Sequence, residues 1–285
     1  MIIIYLNDGL GNQMFQFALF RKLQTLGRDI YIYDSDLRRA GAIHNGLELE
    51  SVFALEYKQL SKKEFRRYDT KNLMNHIIRK MLYEKEYPIY EEKMLSFKDE
   101  IFHMDNICLK GYWQSEKYFR NIENQIRKDF VFPPLEDKEN KHILEQISDS
   151  NSIALHVRRG DYIHPKYENV FGCICNEAYY KKSIEYMKER VKNPKFFVFS
   201  NDIKWCKDNL HGDNFVYVEG NSKRKSYIDM QLMASCKHQI IANSSFSWWS
   251  AWLNNNIDKI VVCPTKWING ETVKDIWCEG WVKIG

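Results

Sequence analysis

The stretch Ser-Ile-Ala-Leu-His-Val-Arg-Arg-Gly-Asp, residues 152–161, decides the fold. Its first residues are mostly apolar, which predicts a buried strand, and its charged residues follow where that strand should open into a loop. In parallel α/β sheets this edge carries the ligand sites. Two adjacent guanidiniums, Arg158 and Arg159, are costly to bury without an anion, so we expect them to meet a protein carboxylate or the phosphates of a ligand. Asp161 alone could pair with only one of them.

The second half of the chain alternates between apolar runs and helical patterns. The predicted strands are 152–157, 195–200, 215–218, 239–242 and 260–263, and the predicted helices are 176–192, 205–210, 227–236 and 245–254. This order predicts a parallel sheet covered by helices. Because right-handed crossovers bring all strand ends to one edge, Arg158, Arg159, Asp202 and Ser244-Ser245 should lie along the same rim.

The first half opens with a related unit. Residues 2–6 predict a strand, and Asn7-Asp8-Gly9-Leu10-Gly11-Asn12-Gln13 predicts a tight turn that leads into a helix ending at Gly27. Glycines let the backbone approach a ligand, and the free N–H groups of the helix start would suit a phosphate or a polar sugar. A well-made turn without a ligand is the alternative interpretation.

A second predicted strand, 29–33, ends at Asp34-Ser35-Asp36. One interpretation is a divalent metal held between nucleotide phosphates; the other is a turn with a helix cap. Further along, Phe132-Pro133-Pro134 and the polar residues up to 141 predict a linker. We therefore expect two domains, 1–140 and 141–285.

Composition limits the class of protein. With 285 residues, 44% of them hydrophobic, the chain can bury sizeable cores. A net charge of +4 over this length is too mild to indicate nucleic-acid binding. Seven scattered cysteines and an N-terminus that runs straight into a strand predict a cytoplasmic chain. The heavily charged residues 57–100 predict solvated helices or, alternatively, a basic surface for peripheral contact with anionic lipid.

The predicted rim combines groups that bind phosphate. Residues 244–246 open a helix, so their N–H groups lie at the positive end of its dipole. Asp202 could accept from two donors of a guanine, and no Walker lysine motif is present. Two Rossmann-like halves and a diphosphate cradle predict a metal-independent sugar-nucleotide transferase, in which arginines neutralise the charge of the departing diphosphate.

Several motifs, in this order, resemble glycosyltransferase family 11, the galactoside α-1,2-fucosyltransferases. They are Asp8-Gly-Leu-Gly-Asn-Gln-Met-Phe-Gln, Gly111-Tyr-Trp-Gln-Ser-Glu-Lys-Tyr-Phe, His156-Val-Arg-Arg-Gly-Asp-Tyr, Phe199-Ser-Asn-Asp and Ile241-Ala-Asn-Ser-Ser-Phe-Ser-Trp-Trp-Ser-Ala-Trp-Leu. The resemblance implies an α/β fold of the GT-B type, with two Rossmann-like domains facing a cleft: 1–140 on the acceptor side and 141–285 binding GDP-fucose.

The same resemblance implies an inverting transfer of L-fucose from GDP-β-L-fucose to O2 of a terminal galactoside. The acceptor would be an oligosaccharide or lipid-linked glycan of polysaccharide or O-antigen biosynthesis, at the inner face of the plasma membrane. GDP-fucose would be a co-substrate, and neither a cofactor nor a metal is expected.

Residue roles follow from the resemblance. Arg158 would hold the β-phosphate, with Arg159 orienting the loop, His156 near the nucleoside and Asn12 reaching the same phosphate from the N-terminal domain. Asp202 falls where the guanine partner is expected, although Asn201 stands where many relatives have a second Asp. The main-chain N–H groups offered to the diphosphate belong to the helix opening, Ser244, Ser245 and Phe246.

Loss of the acceptor proton calls for a base, for which Asp161, Glu168 and His164 are candidates. The acceptor-side candidates are Gly9, Gly11, Gln13, Trp113 and Glu168. Three other interpretations stay open at this point: a fucosyltransferase of another linkage, a metal-dependent transferase using Asp34 and Asp36, and a glycan- or nucleotide-binding module whose Trp-rich segment stacks on sugars.

Overall fold

The computed structural model describes residues 1–42, 44–66, 68 and 88–285. The chain divides into two α/β units, Met1–Val131 and Phe132–Gly285. Much of the basic stretch 57–100, including Arg79-Lys80, lies outside the described residues, so its predicted lipid contact stays a prediction. None of the helices in the described part is both long and apolar enough to cross a bilayer.

Among its described residues, the first unit has a parallel sheet of four strands in the order β2-β1-β4-β3. These strands are β1 (Ile2–Tyr5), β2 (Ile30–Tyr33), β3 (Ile89–Glu91) and β4 (Ile107–Lys110). The described helices of this unit are α1 (Leu10–Thr25), α2 (Leu49–Phe53), α3 (Lys62–Phe65) and α4 (Glu123–Asp129). In the register of the sheet, Ile2 lies opposite both Ile30 and Ile107.

Helix α1 carries much of the core of this unit. Phe15, Phe17 and Phe20 are fully buried, which stabilises the helix through apolar area removed from water. As predicted, the helix stops before Gly27, whose φ of 71° lets its N–H return to the carbonyl of Gln24 at 3.0 Å. The start of α1, with Gly9 as its N-cap, lies at the carboxyl end of β1.

The second unit contains a six-stranded parallel sheet in the order β10-β9-β8-β5-β6-β7. The strands are β5 (Asn151–Val157), β6 (Pro194–Ser200), β7 (Phe215–Tyr217), β8 (His238–Ile240), β9 (Val261–Pro264) and β10 (Val282–Ile284). The α-helices of this unit are α5 (Lys138–Ser148), α6 (Pro165–Phe171), α7 (Glu177–Arg190), α8 (Ile203–Asn209), α9 (Tyr227–Ser235) and α10 (Ser245–Leu253).

The division of the chain falls earlier than the sequence predicted. The boundary expected after residue 140 lies inside α5, which Asp137 caps by accepting from the backbone N–H of Asn140 at 2.8 Å. Helix α5 packs against α9 of the second unit. The polar residues after the two prolines therefore form a helix rather than a linker, and the second unit begins at Phe132.

The Trp-rich segment belongs to the core. Trp248 and Trp249 of α10 are fully buried and meet edge to face, with ring centroids 5.1 Å apart. Trp252 stacks one turn later. Because these indoles are packed inside the second unit, they offer no exposed face for a sugar, and the interpretation of the segment as a sugar-stacking surface is wrong.

Candidate active site

The carboxyl edge of the second sheet gathers the motifs that the sequence predicted for it. Val157, the last residue of β5, lies opposite Ser200, the last residue of β6. On the other side, Leu155 pairs with Ile240 of β8. The residues that follow these strands therefore emerge side by side, as expected from right-handed crossovers.

Arg158 leaves β5 at this edge with part of its hydrogen-bonding capacity unused. Its Nη2 donates to Oδ2 of Asp161 at 2.8 Å, and the guanidinium lies over the Tyr162 ring at 5.6 Å. Nε of Arg158 and Oδ1 of Asp161 are both buried and lack a hydrogen-bond partner in the described part of the chain. Buried polar groups without a partner are uncommon, and a ligand, an ion or a water molecule bound beside them is one explanation.

Arg159 is held from three directions. Its Nε donates to Oδ2 of Asp202 at 3.3 Å, and its guanidinium lies 4.4 Å from the Trp205 ring centroid. Its backbone N–H and that of Gly160 both donate to Oδ1 of Asn201, at 3.0 and 3.2 Å. These contacts fix the turn that follows Arg158, and the orienting role of Arg159 toward a ligand stays a prediction.

Asp202 has structural partners on both carboxylate oxygens. Oδ1 caps α8 by accepting from the N–H of Trp205 at 3.2 Å, while Oδ2 accepts from Arg159. Its assignment to guanine stays a prediction, and the base would have to share a carboxylate that already orders the loop. Asn201, which the sequence left in doubt, serves here as the acceptor for the arginine turn.

His156 is a neutral, buried side chain. Burial, reinforced by the positive charge of Arg158, lowers its pKa to about 3. Its Nδ1 is buried without a hydrogen-bond partner within the described residues, and its ring lies 5.8 Å from that of Phe246. A neutral imidazole in this place can donate or accept a hydrogen bond but carries no charge.

The opening of α10 offers unpaired backbone donors. Ser244 is the N-cap, and its side chain makes no capping hydrogen bond. The N–H groups of Ser245 and Phe246 have no acceptor among residues 1–42, 44–66, 68 and 88–285. The nine-residue helix adds the positive end of its dipole, so this opening suits an anion.

The two other base candidates lie on α6 and the turn before it. His164 is the N-cap of α6, where its Nδ1 accepts from the N–H of Lys166 at 3.3 Å. Glu168 is exposed on the same helix. Both side chains are open to solvent, whereas Asp161 is bonded to Arg158, so the three candidates differ in how freely they could accept a proton.

The first unit places Gln13 and Trp113 in its interior, which contradicts their prediction as acceptor contacts. The Gln13 amide donates to the carbonyls of Asp8 and Gly46 at 2.7 and 2.8 Å and accepts from the N–H of Glu48 at 3.0 Å. Trp113 is fully buried, and its ring lies 6.1 Å from that of Tyr90. The exposed aromatic ring of this loop belongs to Tyr112 instead.

The remaining candidates of the first unit lie at the start of α1. Gly9 is the N-cap, where a Cβ atom would lie 3.5 Å from the His44 ring, and Gly11 is buried in the first turn. Asn12 is half-buried and accepts at Oδ1 from the Gln114 amide at 2.7 Å.

Asp34 is satisfied by the protein itself. The carboxylate is fully buried and accepts from the guanidinium of Arg38, the hydroxyl of Tyr57 at 2.8 Å and the amide of Gln59. Asp36 accepts from Tyr5 and Arg39. The described residues contain no group of three or more His, Cys, Asp or Glu side chains arranged to hold a metal. These contacts favour the structural interpretation of the Asp-x-Asp sequence.

Glu92 is a residue that the sequence did not reveal. Its Oε2 accepts from the backbone N–H groups of Tyr112 and Trp113 at 2.7 and 3.0 Å, and burial raises its pKa to about 7. Glu92 follows β3, a short edge strand that the surrounding charged sequence hides. The one available signal was Gly111, which has to lack a side chain because a Cβ atom there would lie 2.5 Å from that of Glu92.

The two parallel α/β units define a glycosyltransferase fold of the GT-B type. A structure of NodZ α-1,6-fucosyltransferase soaked with GDP-fucose matches with a TM-score of 0.50 and 14% identity, covering 88% of this chain and 92% of that one. Fucosyltransferase NodZ from Bradyrhizobium gives the same TM-score, 0.50, over 87% of this chain and 90% of that one, also at 14% identity.

The chain belongs to glycosyltransferase family 11, whose sequence profile matches residues 1–285. An α-1,2-colitosyltransferase of Escherichia coli is 33% identical, with 99% of this chain and 98% of the relative covered. The O-antigen biosynthesis glycosyltransferase WbnK of Escherichia coli is 32% identical over 98% of this chain and 99% of the relative. Galactoside α-(1,2)-fucosyltransferase 1 of Saimiri sciureus is 27% identical over 51% of this chain and 42% of the relative.

Proposed function

We propose that this glycosyltransferase moves L-fucose from GDP-β-L-fucose to O2 of a terminal galactose on a surface glycan or its lipid-linked precursor. The names of the colitosyltransferase and the Saimiri enzyme both specify the 1,2 linkage, and WbnK is named for O-antigen biosynthesis. One observation supports the proposal most directly: two sets of unused hydrogen-bond donors lie on one sheet edge. They are Nε of Arg158 and the N–H groups of Ser245 and Phe246.

In the proposed reaction, O2 of galactose attacks C1 of fucose from the face opposite GDP. The new C1–O2 bond forms as the bond from C1 to the β-phosphate oxygen breaks, and GDP departs with the bonding electrons. Arg158 and the α10 opening would stabilise the charge that develops on the phosphate, a role in which one preorganised donor contributes on the order of 10²–10³ in rate. His156, being neutral, would contact the nucleotide without adding charge.

The proton of the acceptor hydroxyl must leave as the new bond forms. We keep Asp161, Glu168 and His164 as the three candidate bases. Asp161 forms an ion pair with Arg158, so it is suited to orienting the guanidinium. This favours the solvent-exposed Glu168 and His164 as proton acceptors.

A second candidate donor is GDP-colitose, because a relative covered almost end to end is named as a colitosyltransferase. Colitose is L-fucose without the 3-hydroxyl group. A site that hydrogen-bonds O3 of fucose would discriminate strongly against the deoxy sugar, whereas an apolar surface at that position would accept both. Because the two donors differ by one hydroxyl group, comparing them tests whether the site recognises O3 of fucose.

The experiment is to incubate the purified protein with each donor and a panel of β-galactosides, followed by linkage analysis of the product. We expect an α-1,2-linked fucosyl product, formed equally in excess EDTA because we propose that no metal takes part. If product forms only from GDP-colitose, the donor is GDP-colitose and not GDP-fucose. If the substrates bind but stay unchanged, the protein is a binding module. Cell fractionation would test the proposed location at the inner face of the cytoplasmic membrane.

A further inference from the structure

Tyr162 contacts both parts of the carboxyl edge whose donors lack acceptors among the described residues. Its ring faces the guanidinium of Arg158, with 5.6 Å between the guanidinium carbon and the ring centroid. Its hydroxyl donates to the backbone carbonyl of Asn243 at 3.0 Å, and Asn243 directly precedes Ser244, the N-cap of α10. One side chain therefore touches the arginine and the residue that leads into the helix opening.

A closed set of contacts holds Tyr162 and Asn243 in place. The Tyr162 ring stacks on that of Phe171 at the end of α6, with ring centroids 5.0 Å apart. Asn243 is buried, and its Nδ2 donates to the carbonyls of Phe171 at 3.2 Å and Trp267 at 3.1 Å. Both hydrogens of this amide are thus used. The hydroxyl of Tyr162 meets a residue whose side chain is already fixed, and all of these residues belong to the second unit.

The peptide unit before the α10 opening is held at both ends. Burial raises the pKa of the Tyr162 hydroxyl, partly offset by the positive charge of Arg158, so the group keeps its proton and stays a donor. It binds the carbonyl of Asn243, while the N–H of Ser244 donates to the carbonyl of Ala242 at 2.8 Å. Because a peptide unit is planar, these two bonds together fix its orientation.

We propose that Tyr162 is a positioning residue, which fixes Arg158 relative to the opening of α10 so that both can bind the phosphates of one sugar nucleotide. This inference rests on the proposed function, which puts the donor phosphates at this edge. The ring holds the guanidinium through a cation–π contact, and the hydroxyl holds the backbone that leads into the helix. The two contacts use different parts of the side chain, so they can be removed separately.

The test removes first the hydroxyl and then the ring. Tyr162→Phe keeps the ring and loses the bond to Asn243, so the Kd for GDP, measured by calorimetry, should rise about fivefold. Tyr162→Leu loses the cation–π contact as well, and the Kd should rise on the order of 20-fold. Guanosine lacks the phosphates, so its Kd, measured by NMR titration, should change by less than about twofold in either variant.

The Arg158→Ala background separates the two contacts. In that background Tyr162→Leu and Tyr162→Phe should differ in their Kd for GDP by less than about twofold, because the guanidinium that the ring holds is gone. The fivefold effect of the hydroxyl should persist there, since it acts through the α10 opening. If the ring contributes as much to GDP binding without the guanidinium as with it, Tyr162 does not act through Arg158.

Tyr217→Phe is the matched control. It removes another tyrosine hydroxyl of the second unit that donates to a backbone carbonyl, that of Leu210 at 2.6 Å. Leu210 is the C-cap of α8, at the opposite end of that helix from its N-cap Asp202. This variant should lose stability by a similar amount to Tyr162→Phe and keep the wild-type Kd for GDP.

The outcomes distinguish this inference from the proposed function. If the wild-type protein fails to bind GDP, the proposed function is wrong and the inference fails with it. If the wild type binds GDP and transfers fucose while both Tyr162 variants bind GDP as tightly as wild type, only the positioning role is overturned. Equal losses of affinity for GDP and guanosine would also overturn it, because they show a general disturbance. Should Tyr162→Leu fail to fold, Tyr162→Met replaces it with the same expectation.

Discussion

Arg158 and Asp161 form an ion pair with a free donor on one side and a free acceptor on the other. The Nη2–Oδ2 distance is 2.8 Å, while Nε and Oδ1 are buried without partners in the part of the chain that the structure describes. A pair bracing the loop alone would be expected to use both oxygens in a bidentate contact. Nε of Arg158 therefore lacks a partner within the described residues, while the carboxylate of Asp161 holds the guanidinium in place.

Substitution of Arg158 by Ala should lower kcat for fucosyl transfer on the order of 10³-fold and leave the fold intact. Arg158 is not part of the apolar core cluster of the second unit, so its loss should leave that core packed. Arg158→Lys should recover only part of the rate, because an ammonium cannot donate in the planar fork that matches a phosphate. Single-turnover kinetics and thermal unfolding measure the two effects.

The matched control is Arg190→Ala, which removes an exposed arginine stacked on Tyr186 of the same unit. It should keep the wild-type rate. Wild-type turnover in Arg158→Ala would remove the guanidinium from the mechanism.

His156 should make the protein less stable as the pH falls. Its folded-state pKa of about 3 lies below the ordinary value of 6.5, so between these values the unfolded chain takes up a proton that the folded chain refuses. The free energy of unfolding should fall by up to about 1.4 kcal/mol per pH unit below 6.5, a slope that is absent in His156→Gln. Urea titrations at pH 5 and pH 7.5 compare the two proteins.

His142→Gln on α5 is the control, because its side chain is exposed. It should keep the pH dependence of the wild type. An equal stability difference between wild type and His156→Gln at both pH values would contradict a buried neutral imidazole.

Glu92→Gln should stabilise the protein more at pH 8 than at pH 5. Burial raises the pKa of Glu92 from 4.5 to about 7, so within this window the folded chain keeps a proton that the unfolded chain has released, and wild-type stability falls as the pH rises. A glutamine does not titrate, so its advantage over glutamate should grow by about 2 kcal/mol across that range. Differential unfolding at the two pH values measures it.

Glu91→Gln, at the exposed neighbouring position that ends β3, should show no such difference between the two pH values. Equal effects of the two substitutions at every pH would refute the burial of the Glu92 carboxyl.

Gly160→Ala should distort the turn after the arginine pair. A Cβ atom at this position would lie 2.4 Å from Nδ2 of Asn201, so either the backbone or the asparagine has to move. We expect a loss of stability of about 1–3 kcal/mol and weaker GDP binding. Asn201→Ala removes the obstructing amide but also the acceptor for two N–H groups, so it should destabilise as well.

The double variant distinguishes steric conflict from a general disturbance of the loop. The clash requires both side chains. The double variant Gly160→Ala/Asn201→Ala should therefore lose less stability than the sum of the losses in the two single variants. Additive losses in denaturant titrations would show that the two residues act independently.

The sequence predicted the fold and the site most accurately around the strand that ends before Arg158. The apolar run before Arg158 fixed both the buried strand and the edge at which the arginines emerge, and the family motifs supplied the residues that surround them. Trp113 and Gln13 belong to such motifs as well, yet their roles were missed because a motif does not reveal whether a side chain faces a ligand or the interior. Glu92 escaped notice because its partners are backbone N–H groups of a loop about 20 residues away, and no side-chain pattern records that contact.

The tryptophans of α10 give the protein an internal optical reporter. The ring centroids of Trp248, Trp249 and Trp252 lie within 6.4 Å of one another, directly behind the helix opening at Phe246. An anion arriving at that opening changes the electric field along the helix that carries all three indoles. Their emission, blue-shifted by burial, should therefore register nucleotide docking without any added dye, which makes stopped-flow measurement of donor binding accessible with the unmodified chain.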